Sequence, residues 1–220
     1  MLYTGLTFRL AGSIETKRSQ YQSDRVFSWH FNSAGIGSRD TFVSDWDKLT
    51  ERLEALSTSY SYVGTTDIVD FFPRVYLHRL ENSIADLPKD DLGTSALMRF
   101  VETWAHGTSY GIPTGPRASN FLAEALLIEV DEYLLSCDIE FVRWVDDYWV
   151  FGTSEPQVVS GLFRLGERLN QTQGLSLNPA KTRIRTTAQF IHQVLHRDDP
   201  VADLRSQIMD VWRKMARMQR

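Results

Sequence analysis

Apolar residues recur at helical spacing in several segments of the chain. In residues 41–56, Phe42, Trp46, Leu49 and Leu53 lie three or four positions apart, which places them on one face of an amphipathic helix. A Gly/Pro-rich loop at residues 111–119 opens a long helix that ends at about residue 135. The same reasoning predicts helices over residues 94–106, 156–170 and 203–218.

Other segments are rich in β-branched and aromatic residues and predict strands. Residues 26–31 alternate between apolar and polar, as a half-buried strand does. Residues 60–66 lead as a strand into Asp67, and Pro73 then suits the first turn of a helix over about residues 74–86. Residues 174–184 predict a strand, a turn that carries Lys181 and a second strand, and residues 189–195 predict a further short strand.

Two further strands flank the adjacent carboxylates Asp146 and Asp147. Residues 141–145 precede the pair and residues 148–151 follow it. A short polar turn between two apolar runs is typical of a hairpin. The sequence therefore predicts a hairpin with an acidic tip.

Composition indicates a globular domain. A chain of 220 residues with 42% hydrophobic and 12% aromatic residues can bury one good core, with room for a small appended lobe. Cys137 is the only cysteine, which excludes a disulfide framework and fits a reducing, cytoplasmic setting. The start lacks the layout of a signal peptide, and Glu124 and Glu129 interrupt the most apolar stretch, so no membrane span is expected.

The charge balance gives two readings of the basic residues near the start. Net charge is 24 − 28 = −4, which argues weakly against a protein coated with nucleic acid but permits a local basic groove. Lys17 and Arg25 lie before the strand predicted over residues 26–31. They belong either to a phosphate-facing lobe or to a solvated basic surface.

Asp67, Asp146 and Asp147 are the candidate catalytic residues. Holding two carboxylates between buried strands is costly unless a cation offsets their charge, and hard divalent cations prefer carboxylate oxygens. A third carboxylate at a neighbouring strand end completes a trio that can hold two ions about 3.5–4 Å apart for phosphoryl transfer. Two plainer readings stay open: an ordinary hairpin with an acidic turn, and Asp67 as a helix cap, a role for which Asp70 is better placed.

The order of these motifs resembles the palm of a reverse transcriptase. Residues 66–72 resemble the first acidic motif of that family, and residues 111–116 its substrate-and-template loop. Residues 144–147 resemble its catalytic box, residues 174–182 its lysine motif and residues 26–29 part of its fingers. Residues 71–81 are closest in character to bacterial abortive-infection and other defence-associated reverse transcriptases.

The resemblance implies an α+β fold. The expected architecture is a polymerase palm, a ferredoxin- or RRM-like antiparallel sheet with helices packed on one face, with an abbreviated fingers lobe and no full thumb. Residues 1–57 would form the partial fingers and residues 58–195 the palm. Residues 196–220 would form a C-terminal helix or a connector to a missing thumb.

The resemblance also implies roles for individual residues. Asp67 and Asp146 would be the main ligands of two Mg²⁺ ions, with Mn²⁺ as a substitute; Asp147 would close the site and the backbone carbonyl of Ile68 would assist. Lys181 would protonate the leaving pyrophosphate, unless it is a solvated turn lysine.

The substrate side of the site is implied in the same way. Phe72 would pack beneath the sugar of the incoming nucleotide, with Asp70, Thr114 and Gly115 nearby; Lys17 and Arg25 would hold triphosphate oxygens. Two positions depart from the family pattern. Trp144 stands where a tyrosine is expected, and Thr114 stands where many relatives carry a glutamine.

The implied function is RNA-directed DNA polymerisation in anti-phage defence. The partners would be dNTPs, an RNA template with a primer or a structured non-coding RNA, and a protein partner or second copy that supplies the thumb. Three alternatives remain: an untemplated or protein-primed DNA polymerase, a nucleotide cyclase-like palm, and a non-catalytic scaffold. The intact aspartate trio argues against the scaffold.

Overall fold

The computed structural model describes residues 2–22, 24–32, 42–85 and 91–195. Its helices are α1 Leu2–Gln22, α2 Trp46–Ser59, α3 Phe71–Arg74, α4 Leu77–Ala85, α5 Asp91–Trp104, α6 Arg117–Ser136, α7 Glu155–Arg168 and α8 Thr187–Phe190. Its strands are β1 His30–Phe31, β2 Phe42–Val43, β3 Tyr62–Asp67, β4 Glu140–Trp144, β5 Asp147–Gly152 and β6 Arg183–Thr186. Two π-helical turns, Leu169–Gln173 and Ile191–Leu195, extend α7 and α8.

Most helices expected from apolar spacing are present, with ends displaced by a few residues. The predictions over residues 41–56, 94–106 and 156–170 correspond to α2, α5 and α7, and the helix after the Gly/Pro-rich loop corresponds to α6. The helix expected over residues 74–86 corresponds to α4, and Pro73 lies in the separate short helix α3. The terminal helix predicted over residues 203–218 lies outside the described residues, as does the boundary segment 196–220.

Two strand predictions are wrong, and the one over residues 174–184 holds only for its second strand, β6, because Leu177 makes no more than a single bridge to Ile68. Residues 189–195 are helical because Thr186 and Gln189 form a reciprocal capping box that starts α8: the Thr186 hydroxyl accepts from the Gln189 N–H, and the Gln189 side chain accepts from the Thr186 N–H. Residues 26–31 are extended only in part, since Trp29 has a φ of 38° that interrupts the strand. Only His30–Phe31 forms β1, and Val26 makes a single parallel bridge to Arg143.

The predicted α+β class, with an antiparallel sheet, is confirmed. Four strands form a sheet in the order β4-β5-β3-β6 with antiparallel neighbours. On one face, α6 and α7 contribute to the larger apolar core, with Phe141 and Val150 from the sheet. Helix α7 packs closely on β5 there: a Cβ added to Gly161 would lie 2.8 Å from Val150 Cγ1.

A second apolar cluster lies on the other face of the sheet. Helix α2 contributes its leucines, and Phe190 of α8 joins them. The strand residues of this cluster include Val63 and Phe151, which are paired with each other across β3 and β5. Asp67, the last residue of β3, and Asp147, the first residue of β5, lie four positions from Val63 and Phe151 and on the same face of the sheet. The acidic residues therefore lie on the face of the sheet that carries α2, at the end where Trp46 of α2 meets Trp144, the strand partner of Asp147.

None of the helices within the described ranges has the length and apolar character needed to cross a membrane.

Candidate active site

Strand pairing gathers the three aspartates at one end of the sheet. Asp67 and Asp147 are directly opposite partners in the β3–β5 ladder, an arrangement that puts their Cβ atoms about 4.5–5.5 Å apart. Asp146 lies in the turn between β4 and β5, and its carbonyl accepts a hydrogen bond of 3.2 Å from the Ile68 N–H. This bond ties the hairpin turn to the end of β3.

Lys181 reaches the same point from the turn before β6. Its ammonium donates to Asp67 Oδ2 at 2.5 Å. The Asn178 N–H donates to the Asp67 carbonyl at 2.9 Å, so the turn is docked on β3 through the backbone as well. Lysine is protonated at neutral pH, and the bond to Asp67 raises the pKa of Lys181 above its usual value, so the ammonium form is favoured further.

The carboxylates carry more negative charge than Lys181 neutralises. Burial, followed by the nearby charge of Asp67, raises the pKa of Asp146. Burial and the charges of Asp146 and Asp67 raise the pKa of Asp147 to about 6. Like charges held together in a partly desolvated site disfavour ionisation in this way. A cation would reverse these shifts.

The chemistry of the donor set fits a hard divalent cation. Asp67 Oδ1 is buried and, among the described residues, has no hydrogen-bond partner. Its position beside two further carboxylates is suited to metal ligation. Within the described ranges, however, no three His, Cys, Asp or Glu side chains are already arranged as a metal site, and Asp67 Oδ2 is turned towards Lys181.

Phe71 and Phe72 differ in burial. Phe71 is 2% exposed and lies in the core, whereas Phe72 is half-buried at its edge. The Phe72 carbonyl accepts from the Ile112 N–H at 3.1 Å, which joins this segment to the Gly/Pro-rich loop. Asp70 occupies the position before α3 with a φ of 46°, but its side chain makes no capping bond there. It lies 3.6 Å from Arg74 Nε.

Glycines shape the loop before α6. Gly111 and Gly115 have φ values of +99° and +106°, which L side chains rarely adopt. The Gly111 N–H donates to the Val75 carbonyl at 2.9 Å. Thr114 is exposed and lines a cavity of about 410 Å³ together with Trp104 and other residues of the preceding turn.

The basic residues near the start make their contacts elsewhere. Arg25 pairs with Glu140 at 3.1 Å and with Asp24 at 2.7 Å. Glu140 is the first residue of β4, at the opposite end of that strand from the hairpin turn. Lys17 lines a separate cavity of about 310 Å³ with Glu132 and neighbouring side chains.

Trp144 packs against α2. Its ring meets that of Trp46 edge-on, with centroids 4.8 Å apart. The aromatic residue before the hairpin turn thus anchors α2 to β4.

A fully buried ionic network behind the turn was not predicted from the sequence. Arg143 donates to Asp131 at 2.6 Å and to Glu124 at 2.6 Å, and all three side chains are 0% exposed. Burial opposes the charge on Arg143, but Asp131 and Glu124 outweigh it and hold its pKa well above the usual value. The available signal was an arginine within an apolar strand and carboxylates within an apolar helix, since buried charges need partners.

The sequence matches the family model described as reverse transcriptase (RNA-dependent DNA polymerase) over residues 18–202. No curated protein matches it.

Several solved structures share the fold. Apo telomerase from Candida tropicalis superposes with a TM-score of 0.62 at 11% identity, over 84% of this chain and 37% of the other. A form of that enzyme truncated from the C-terminal domain gives 0.59 at 13% identity, over 81% and 40%. Telomerase from Candida albicans in complex with a TWJ fragment of telomeric RNA gives 0.57 at 11% identity, over 83% and 35%. The chain thus covers well under half of each of these three.

Proposed function

Since the chain belongs to the reverse transcriptase (RNA-dependent DNA polymerase) family, we propose that it is an RNA-directed DNA polymerase that adds deoxynucleotides by a two-metal mechanism. The observation that carries the proposal is the convergence of Asp67, Asp146 and Asp147 at one end of the sheet, with Lys181 bonded to Asp67. A neighbour in the same fold is solved with bound RNA, which is consistent with an RNA template.

Asp67 and Asp146 would hold the metal ions, Asp147 would close the site, and the carbonyl of Ile68 would assist. Bound Mg²⁺ or Mn²⁺ would lower the pKa of the attacking hydroxyl and neutralise charge on the triphosphate. Asp67 is buried and the pKa of Asp146 and Asp147 is raised, so added positive charge is favourable at this point. This uncompensated negative charge is the protein's contribution to metal affinity.

Lys181 acts as the general acid. The primer 3′-hydroxyl loses its proton to solvent and its oxygen forms a bond to the α-phosphorus while the bond to pyrophosphate breaks, and the lysine gives its proton to the departing oxygen. Lysine is protonated at neutral pH and the bond to Asp67 raises its pKa further, so a proton is available when the leaving group develops charge. The contact with Asp67 holds the ammonium beside the reacting phosphates.

Phe72, Asp70, Thr114 and Gly115 form the nucleotide side of the site. Phe72 lies under the sugar, and its backbone bond to Ile112 couples it to the loop that carries Thr114 and Gly115. Asp70 has an exposed side chain, and Gly115 is exposed with a positive-φ backbone, so both are accessible to an incoming nucleotide. Lys17 and Arg25 are proposed to hold triphosphate oxygens, which for Arg25 requires that a substrate replace its pairing with Glu140.

The biological setting proposed is anti-phage defence in the cytoplasm, with a structured RNA and a protein partner or second copy completing the grip on the duplex. The support is the similarity of residues 71–81 to defence-associated reverse transcriptases. Phage plaque counts on cells that carry the wild type or the Asp146→Asn variant test this setting. Protection is expected with the wild type alone.

The biochemical test is to incubate the purified chain with labelled dNTPs and Mg²⁺, with and without RNA, and to sequence the product. Complementarity to the added RNA is the expected result. DNA of unrelated sequence that forms without RNA would indicate untemplated or protein-primed synthesis. A cyclic nucleotide, or no product, would contradict the proposal.

A further inference from the structure

Val145, the residue before Asp146, has an unusual backbone. Its φ is 54°, in the left-handed region that is an outlier for a β-branched side chain. This conformation turns the chain from β4 into the aspartate pair, because Trp144 and Asp147 are the closing partners of the hairpin. Something must hold Val145 there, since such strain persists only where the surroundings determine it.

Both peptide groups of Val145 are held by buried side chains. The Val145 N–H donates to Ser28 Oγ at 3.0 Å, a contact between residues 117 positions apart. The Val145 carbonyl accepts from Arg143 Nη1 at 2.9 Å. The side chains of Ser28 and Arg143 are 0% exposed, so water does not compete for either bond.

The Ser28 hydroxyl has a fixed direction. Its proton is committed to Glu124 Oε1 at 2.5 Å, which leaves its lone pairs for the Val145 N–H. Glu124 is in turn bonded to Arg143 at 2.6 Å. The two groups that grip Val145 are therefore bonded to the same carboxylate.

Helix α1 fixes the segment that carries Ser28. Arg18, 1% exposed, donates to the Ser28 carbonyl at 2.6 Å and to the Trp29 carbonyl at 2.7 Å. A continuous set of hydrogen bonds thus runs from α1 through Ser28 to Val145.

We propose that Ser28 and Arg143 are positioning residues for the active site: they lock Val145 in its left-handed conformation and so set how Asp146 and Asp147 face a divalent cation. The inference rests on the proposed function. Ser28 and Arg143 act through Val145 and have no role in the chemistry itself. A segment outside the palm sheet thereby completes the metal site.

A purely stabilising role is the alternative, and the chain offers a matched control for it. Tyr148 is fully buried and its hydroxyl donates to Asp131 at 3.0 Å. Ser28→Ala and Tyr148→Phe each remove one buried hydroxyl from the same network. Only the first removes a bond to Val145.

The experiment measures Mn²⁺ affinity by titration calorimetry, the Mg²⁺ concentration for half-maximal dNTP incorporation, and the metal-free thermal midpoint. Ser28→Ala is expected to weaken Mn²⁺ binding and raise the Mg²⁺ requirement by roughly tenfold, the change that one buried hydrogen bond supplies. Tyr148→Phe is expected to change both by less than about twofold, while both variants lower the thermal midpoint. Equal Mn²⁺ affinities in the two variants would overturn the proposal.

A second variant distinguishes the backbone strain at Val145 from the thermal stability of the fold. Glycine adopts positive φ without steric cost, so Val145→Gly in the Ser28→Ala background should restore much of the Mn²⁺ affinity. It should also lower the thermal midpoint further, because Val145 is 7% exposed and its apolar burial is lost. Affinity that falls together with the midpoint would contradict a positioning role.

Two outcomes keep the tests separable. If Ser28→Ala does not fold, Ser28→Cys replaces it, since a thiol is somewhat larger than a hydroxyl and leaves no cavity but accepts hydrogen bonds weakly. If the wild type binds Mn²⁺ but incorporates no nucleotide, the proposed function fails, while the Mn²⁺ affinities still decide the role of Ser28.

Discussion

Within the described residues, the Asp67 side chain has one carboxylate oxygen with a hydrogen-bond partner and one without. One carboxylate oxygen is bonded to Lys181 and the other is buried without a partner among the described residues. An unsatisfied buried acceptor costs about 1–3 kcal/mol. A site that lowers fold stability in this way is expected where a ligand supplies the missing contacts.

A pH-dependent stability difference follows from Asp147. Its pKa of about 6 in the fold lies above the value near 3.9 of an unfolded chain. The folded state therefore holds this proton more tightly, and stability falls as pH rises from about 4 through 6. Asp147→Asn should raise the metal-free thermal midpoint at pH 7.5 and have little effect below about pH 4.

The control for this prediction is the same pair of proteins with saturating Mn²⁺ at pH 7.5. The cation should stabilise the wild type more than the variant. If the metal-free midpoint of Asp147→Asn lies below that of the wild type at pH 7.5, the charge repulsion inferred at the site is wrong.

Sugar selection is a prediction for Phe72. A ring beneath the sugar leaves no room for a 2′-hydroxyl and buries it without a partner, at about 1–3 kcal/mol or one to two orders of magnitude. Phe72→Val should raise ribonucleotide relative to deoxynucleotide incorporation sharply. Phe71→Val is the matched control, because Phe71 is 2% exposed and its truncation should mainly lower the thermal midpoint.

The measurement is the ratio of incorporation rates for a ribonucleotide and its deoxynucleotide. An unchanged ratio in Phe72→Val would show that Phe72 is not the gate. A change in Phe71→Val alone would assign the gate to its neighbour.

Helices and strands were predicted best where their sequence pattern is local. The helices with wide apolar faces and the acidic hairpin follow from spacing over a few residues, as for α7 and for β4 and β5. Helix α1 was missed because its buried positions, such as Thr7 and Arg18, are partly polar. Polar residues at those positions interrupt the apolar spacing by which a helix is recognised in a sequence.

What could not be predicted depends on partners distant in sequence. The Ser28–Val145 bond joins residues 117 positions apart, and the positive φ of Val145 is one that a β-branched residue rarely adopts without support from its surroundings. Residues 26–31 alternate like a strand, yet the Arg18 bonds to the Ser28 and Trp29 carbonyls hold them in a different path. Local propensity carries no information about such contacts.

The close packing of α7 on the sheet predicts how the protein responds to replacement of Gly161 by alanine. Gly161→Ala would place a Cβ 2.8 Å from Val150 Cγ1 in the core, whereas a Cβ on Gly12 would meet no heavy atom within 4 Å beyond the backbone of α1 itself and its chain neighbours. Alanine is favoured over glycine in a helix by about 0.8–1 kcal/mol. Gly12→Ala should raise the free energy of unfolding by about that amount, and Gly161→Ala should gain less or lose stability.

Urea denaturation of both variants and the wild type measures the two effects. An equal gain from both alanines would show that α7 has room to move away from the sheet.

At the scale of the whole molecule, net charge bears on nucleic-acid binding. The chain carries a net charge of −4, so affinity for a primer–template duplex must come from local cations. We expect weak binding that falls roughly tenfold or more between 50 and 200 mM salt, from release of counterions at a few phosphate contacts. Fluorescence anisotropy with a labelled duplex measures it. Tight binding that does not respond to salt would contradict this account.

Nucleotide incorporation by Asp146→Asn is the most direct test of the central claim that the three aspartates form a metal-dependent polymerase site. The labelled-dNTP assay with RNA and Mg²⁺ is run on the wild type and the variant, with the thermal midpoint of each measured without metal. We expect the variant to lose incorporation while its midpoint holds or rises, because one of the mutually repelling carboxylates is removed. Incorporation within a few-fold of the wild type would contradict the assignment.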